Sequence, residues 1–292
     1  MSRADSPDRR VGIYLLLTVA FSAVFWFLII RSGALGGGGG RWVLGLMWCP
    51  GAAALLASLM TRRPLAEIGW RWSWKWALLA YALPVAYAGV AYGATWAFGL
   101  GAFPNHEFLA RISDRFGGPG TSESAILLRY VLFQGSAGVL LSCVSGLGEE
   151  IGWRGFLVPE LARRMPFARV AFWSGAIWAV WHYPILLFAD YHGGTPAWYS
   201  LTCFTVMVLG IAVVFAWSRL VSGSVWPAAI LHGSHNLWVQ GIFDPLTADT
   251  GPTRWVIGEF GAALAIISLA MAWLVLRRRA HAPAAALERV GV

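Results

Sequence analysis

The chain has 292 residues, 58% of them hydrophobic and 12% charged, with a formal net charge of +8. A soluble globular domain carries about 25% charged residues, so a water-soluble fold is excluded, and a mean hydropathy of +0.62 agrees. A nucleic-acid-binding groove is excluded too, because Lys75 is the only lysine and most arginines cluster at the ends of apolar runs, where charges set membrane topology.

Apolar stretches longer than about 18 residues predict membrane-spanning helices. The expected fold class is all-α, a polytopic transmembrane helical bundle of about eight spans: 11–31, 42–61, 75–100, 125–160, 168–189, 200–221, 225–243 and 255–276. They form a single domain over 11–279, between an N-terminal tail of residues 1–10 and a flexible tail over 280–292. The first span is too long for a signal peptide and lacks an A-x-A-like cleavage site, so a retained helix is expected.

Between the first two spans, "GGGGG" at 36–40 reads as a flexible outer turn. "WRWSWKW" at 70–76 reads as an interfacial aromatic belt before the third span. In "PNHEFLARISDRF" at 104–116, Phe108, Leu109, Ile112 and Phe116 recur at helical spacing among charges, which predicts a short helix on the outer surface. Cys49, Cys143 and Cys203 lie in apolar segments without CxxC spacing and read as small hydrophobes.

An even number of spans puts both termini on one side. Basic residues precede the first span (Arg3, Arg9, Arg10), follow the second (Arg62, Arg63, Arg71, Lys75), follow the fourth (Arg163, Arg164, Arg169) and follow the eighth (Arg277, Arg278, Arg279). The positive-inside rule therefore places both termini in the cytoplasm of a multi-pass protein of the cell membrane.

An ionisable residue inside a bilayer costs about 2.5–3.5 kcal/mol on insertion scales and marks a functional site by default. Those residues here are Glu149, Glu150 and Arg154 in the fourth span, His182 in the fifth, His232 and His235 in the seventh, and Glu259 in the eighth, with Asn236 beside them. Glu150 and Arg154, four apart with the acid first, suit an ion pair on one helix face. Glu149 points about 100° away, has no sequence-local partner, and is suited to take a proton from water. A packing network of all three is the structural alternative.

His232 and Asn236 stack four apart on one face, with His235 on a neighbouring edge. An imidazole and an amide in a dry cavity are what a developing oxyanion requires. His182 shares a face with Trp178 and precedes Pro184, which can kink the helix. Glu259 reads as a snorkelling surface glutamate. At ~1.5 Å per residue, Glu149, His182 and His232 lie ~16, ~20 and ~10 Å from the cytoplasmic ends of their helices. These overlapping depths suggest one cavity open to the cytoplasm.

The order EExxxR (Glu149, Glu150, Arg154), aromatic-xxx-His (Trp178, His182) and HxxxN (His232, Asn236), each on its own span, resembles the CAAX-protease and bacteriocin-processing family of intramembrane endopeptidases. "WRGFL" and "WHYP" are similar too, and the resemblance covers about residues 125–240, the expected catalytic core. It implies that Glu149 activates the attacking water and that His182 orients or deprotonates it. His232 and Asn236 then stabilise the tetrahedral oxyanion, while Glu150 and Arg154 support the geometry. Trp178 departs from the usual phenylalanine, and His235 lies outside the pattern.

No cofactor is favoured. A zinc site made by Glu149, His182 and His232 is the alternative, but it would consume the base, and no HExxH occurs. The expected partners are the lipid bilayer and a membrane-associated peptide or protein substrate, cleaved from the cytoplasmic side, and no nucleic acid. Competing readings are a proton-coupled transporter and a catalytically idle membrane scaffold or immunity protein. No inverted repeat of the transporter kind is visible in the sequence.

Overall fold

The computed structural model describes residues 7–33, 40–189 and 191–280, with side chains through 278. The glycine run and the C-terminal tail beyond 280 lie wholly or largely outside these residues, as do residues 1–6. Within them the chain is helical, with no strand and a single isolated bridge between Ala102 and Ala248.

The long helices follow one another up and down. Helix α1 is Pro7–Arg31, α2 is Gly40–Met60, and α3 is Trp74–Ala97. The short α4, His106–Phe116, is capped by the Asn105 side chain, which accepts from the Phe108 N–H at 3.1 Å. Helix α5 runs over Glu123–Ala162, α6 over Phe167–Phe188 and α7 over Ala197–Ser222. Helix α8 covers 226–246, and α9 is Ala262–Ala280. Among the described residues, α1, α2, α3, α5, α6 and α7 are long and apolar enough to cross a membrane.

The other two expected spans are also helical, but neither is apolar enough by itself. Helix α8 is interrupted by His232, Ser234, His235 and Asn236, and α9 ends in a run of arginines. Helix α9 also begins later than expected. Thr253–Val256 forms its own turn and Gly258 adopts a φ of 72°, a left-handed conformation that glycine enters without steric cost. Glu259 therefore sits in the connection ahead of α9.

Apolar side chains such as Leu16, Phe27, Leu78, Leu140 and Leu141 cover the outside of the bundle, as a lipid-facing surface must. Trp70, Trp72 and Trp74 are exposed, and the first two pack edge-on against Trp226. The apolar face of α4 turns inward, with Leu109 fully buried beside Tyr130, Ile242 and Leu246. Much of its amphipathicity is thus satisfied by protein contacts. The three cysteines are unpaired, Cys49 and Cys203 buried and Cys143 half-buried.

Around α5 the helices approach almost backbone to backbone. A methyl group at Gly152 would come within 2.6 Å of Pro50, one at Gly233 within 2.6 Å of the Cys143 backbone, and one at Gly146 within 3.1 Å of His232. Small residues allow such contacts where no hydrophobic driving force separates helix from lipid. They set α2 and α8 against the stretch of α5 that carries the paired glutamates.

Candidate active site

Helix α5 changes its winding at the site. Immediately after Glu149 and Glu150, residues Ile151–Leu157 form a π-turn, and a second π-turn, Leu237–Phe243, follows Asn236 on α8. Such insertions rotate the side chains beyond them and recur at functional sites. The expected pair forms, with Arg154 Nη1 2.9 Å from Glu150 Oε1 and both side chains fully buried. The guanidinium lies 4.2 and 4.3 Å from the ring centroids of Trp178 and Phe215, a cation–π arrangement that helps to hold a desolvated charge.

Glu149 is not partnerless. Its Oε2 accepts from the indole N–H of Trp178 at 2.8 Å and from that of Trp153 at 3.2 Å. Trp153 is four residues along the same helix, so the sequence carried this contact at i,i+4 spacing. Trp178 supplies an N–H that a phenylalanine at this position would lack.

His182 hydrogen-bonds through Nδ1 to the Trp178 carbonyl at 2.9 Å. A carbonyl only accepts, so Nδ1 carries the hydrogen, and in a neutral ring the lone pair is then on Nε2; the side chain lines the cavity. His232 places Nδ1 2.9 Å from Glu150 Oε1, which orients that imidazole through a carboxylate already paired to Arg154. Among the described residues the Asn236 side chain has no hydrogen-bond partner, and it faces the cavity.

Glu149, His182, His232 and Asn236 line one cavity of about 280 Å³. Three helices far apart in sequence thus deliver an acid, two imidazoles and an amide to a common space. Two further expectations need correction. Glu259 is buried rather than snorkelling: it lines this cavity and accepts from His235 Nε2 at 3.0 Å and from the Tyr191 hydroxyl at 3.1 Å. The connection before α9 folds back over the bundle, and a spacing argument along one helix cannot see that. His235 lies outside the family pattern yet bridges Glu259 to the Tyr87 hydroxyl.

The second correction concerns a pair of expectations, cytoplasmic termini and a cavity open to the cytoplasm, which do not hold together in this cavity. Its floor is Glu149, Phe215 and His232, and its far wall reaches Gly40, Tyr191, Gln240 and Glu259, which sit at the end of the bundle opposite both termini. A second cavity of about 470 Å³ among residues 191–193 and 240–260 shares Tyr191, Gln240 and Glu259 with the first. The end that carries the termini is instead closed by charge. Arg63 Nε lies 2.9 Å from Glu160 Oε1 with both side chains fully buried. Arg219 donates to the Arg154 carbonyl and to the Glu67 carbonyl, each at 2.8 Å. Neither Glu160 nor Arg219 stands out in the sequence, because each sits in the last turn of its helix, where a charge reads as an ordinary interfacial residue.

Among the described residues no three His, Cys, Asp or Glu side chains converge as a ligand group, and Glu149 Oε2 already accepts two indole N–H bonds.

Residues 126–238 match the family described as type II CAAX prenyl endopeptidase, Rce1-like. Over 94 residues the chain is 28% identical to CAAX prenyl protease 2 of Methanococcus maripaludis, a match covering 30% of this chain and 34% of that relative. The chain thus spans about a third of the length of the curated relative it matches. The matched segment holds Glu149, Glu150, Arg154, Trp178, His182, His232 and Asn236, so the similarity to that family falls on the residues that line and support the cavity.

Proposed function

We propose that this chain is an intramembrane endopeptidase that hydrolyses a peptide bond of a membrane-associated substrate, using water activated by Glu149. The observation that carries this reading is the shared cavity, where Glu149, His182, His232 and Asn236 face one space of about 280 Å³. Both carboxylate-bound indoles hold Glu149 at its wall, and His182, with its lone pair on Nε2, lines the same space.

In the proposed reaction Glu149, assisted by His182 Nε2, takes a proton from water while the oxygen adds to the scissile carbonyl carbon. The negative oxygen that forms accepts hydrogen bonds from the Asn236 amide and from His232 Nε2. For that ring to donate at Nε2 while Nδ1 donates to Glu150, it must be an imidazolium. Glu149, Glu150 and Arg154 together carry one negative charge to balance it. Collapse of the intermediate breaks the C–N bond, and the proton taken from water passes to the leaving nitrogen. No metal takes part in these steps, and the substrate is a peptide segment held at the bilayer.

The test is cleavage by purified, reconstituted protein, with candidate membrane substrates found by mass spectrometry of cells expressing wild type or Glu149→Gln. The expected result is product from wild type alone, with both proteins equally folded in detergent. Cleavage by Glu149→Gln at the wild-type rate overturns the assignment. Ion or solute flux without cleavage would favour the transporter.

A further inference from the structure

Helix α8 carries both groups assigned to the oxyanion, His232 and Asn236, and its rotation about its own axis decides whether they reach the cavity. Successive residues of α8 each meet a different neighbour. His232 Nδ1 lies 2.9 Å from Glu150 Oε1, and Gly233 packs against the backbone of Cys143. The Ser234 hydroxyl donates to the Tyr81 carbonyl on α3 at 2.8 Å, and His235 meets Glu259 and Tyr87. Asn236 comes next, with no side-chain partner among the described residues, so its direction is inherited from the residues around it. The π-turn Leu237–Phe243 begins directly after it and shifts the register of the side chains beyond. Regular α-helix therefore reaches Asn236 only from the side of His235.

His235 has no part in the proposed chemistry, yet both of its ring nitrogens are engaged. A carboxylate accepts, so Nε2 carries the hydrogen that it donates to Glu259 Oε1 at 3.0 Å. In a neutral ring Nδ1 then accepts from the Tyr87 hydroxyl, the reverse of the tautomer at His182. The other oxygen of Glu259 accepts from the Tyr191 hydroxyl at 3.1 Å. Glu259 arrives there because its neighbour is pinned. The Gly258 N–H donates to the Tyr92 hydroxyl at 3.0 Å, and that hydroxyl donates to Asp244 Oδ1. Tyr87 and Tyr92 belong to α3 and Asp244 to α8, so these bonds clamp α3, α8 and the connection ahead of α9 together. Tyr87, His235 and Glu259 are all buried in the clamp.

Buried polar groups of this kind are tolerated only while their hydrogen bonds are made, which restricts α8 to the rotation that makes them. Misplacing a reacting group by about 1 Å can cost on the order of a hundredfold in rate. Tyr87 and Glu259 both lie outside the matched residues 126–238, so the clamp ties the matched segment to the rest of this chain.

We infer that His235 and Glu259 are positioning residues for the oxyanion site: bonded to each other and to Tyr87, they fix the rotation of α8 that presents His232 and Asn236 to the cavity. The inference rests on the reading of His232 and Asn236 as the oxyanion donors.

The experiment measures kcat and KM of the reconstituted full chain for His235→Ala, Glu259→Ala, His235→Gln, Glu259→Gln and Tyr87→Phe. Glutamine at 235 keeps a donor to Glu259, and glutamine at 259 keeps an acceptor for His235 without the charge. Each alanine variant is expected to lose about tenfold to a hundredfold in kcat per folded molecule with KM unchanged, and each glutamine variant to recover most of that loss. Tyr87→Phe deletes one hydroxyl, keeps the packing should an alanine variant fail to fold, and is expected to lose several-fold in kcat. In an Asn236→Ala background the cost of His235→Ala is expected to shrink, because the two act together. An equal cost in both backgrounds, full kcat in Tyr87→Phe and the alanine variants, or a loss in Glu259→Gln as large as in Glu259→Ala would overturn the inference. Nitrogen-15 spectra of histidine-labelled protein read the same geometry without substrate. The His232 ring resonances, identified with His232→Gln, are expected to move in Tyr87→Phe and His235→Ala and to return in His235→Gln; resonances that stay in place would overturn the clamp. If wild type cleaves no peptide, these spectra still decide it, so the two proposals fail separately.

Discussion

Two clusters of buried charge sit on either side of Arg154, and they differ in the space beside them. Toward the termini, Arg63, Glu160, Arg219 and Glu67 face one another and the backbone carbonyls of Arg154 and Gly155. Toward the cavity, Glu149, His182 and His232 are held from behind by indoles, a carbonyl and Glu150, Asn236 has no side-chain hydrogen-bond partner among the described residues, and all four line the same open space. Burial of charge is common to both, so burial alone does not mark a site. A polar group that is positioned yet incompletely satisfied, beside room for another molecule, does.

The comparison predicts opposite behaviour under mutation. His182→Ala should lower the cleavage rate by about 10²–10⁴-fold, the range for a general acid or base, while the thermal unfolding midpoint in detergent barely moves. A large loss of stability would move His182 into the structural cluster. Glu160→Ala should do the reverse. Leaving the buried Arg63 with only the part-exposed Glu67 as counter-ion costs up to about 3–5 kcal/mol, read as a lower melting temperature, with the rate per folded molecule retained.

Smaller effects sharpen the boundary. Asn236→Ala removes one donor to the oxyanion and should lower kcat by about 10²–10³-fold with little change in KM; a change confined to KM would make it a binding residue. Trp178→Phe keeps the ring beneath Arg154 but deletes the N–H to Glu149. A hydrogen bond to a charged group is worth about 1.5–3 kcal/mol, so roughly a tenfold to hundredfold loss of rate is expected in a cleavage assay. The smallest expected effect is that of a zinc chelator, which should leave cleavage unchanged; loss of activity restored by added zinc would overturn the metal-free mechanism.

Much of this was legible along the chain. Glu150 with Arg154, and His232 with Asn236, are i,i+4 relations that a single helix enforces wherever it packs, and the apolar run-lengths disclosed the spans. Trp153 beneath Glu149 is legible by the same rule. Glu259 was not legible, because its burial depends on Gly258 turning the chain back over α8 and on Tyr191 and His235 waiting there. Glu160 and Arg219 were hidden by their position at helix ends.

The residue order by itself determined an all-helical membrane bundle, the end at which its arginines gather, and which polar side chains share a helix face, since each follows from composition or from the 3.6-residue turn. Only the tertiary structure decided that three helices aim those faces at one cavity, that Glu259 turns inward, and that the cavity reaches away from the termini. The physical reason lies in the solvent. A helix face against lipid and a face against protein are equally apolar, so no periodicity along the chain says which way a span is rotated or where an opening is left between spans.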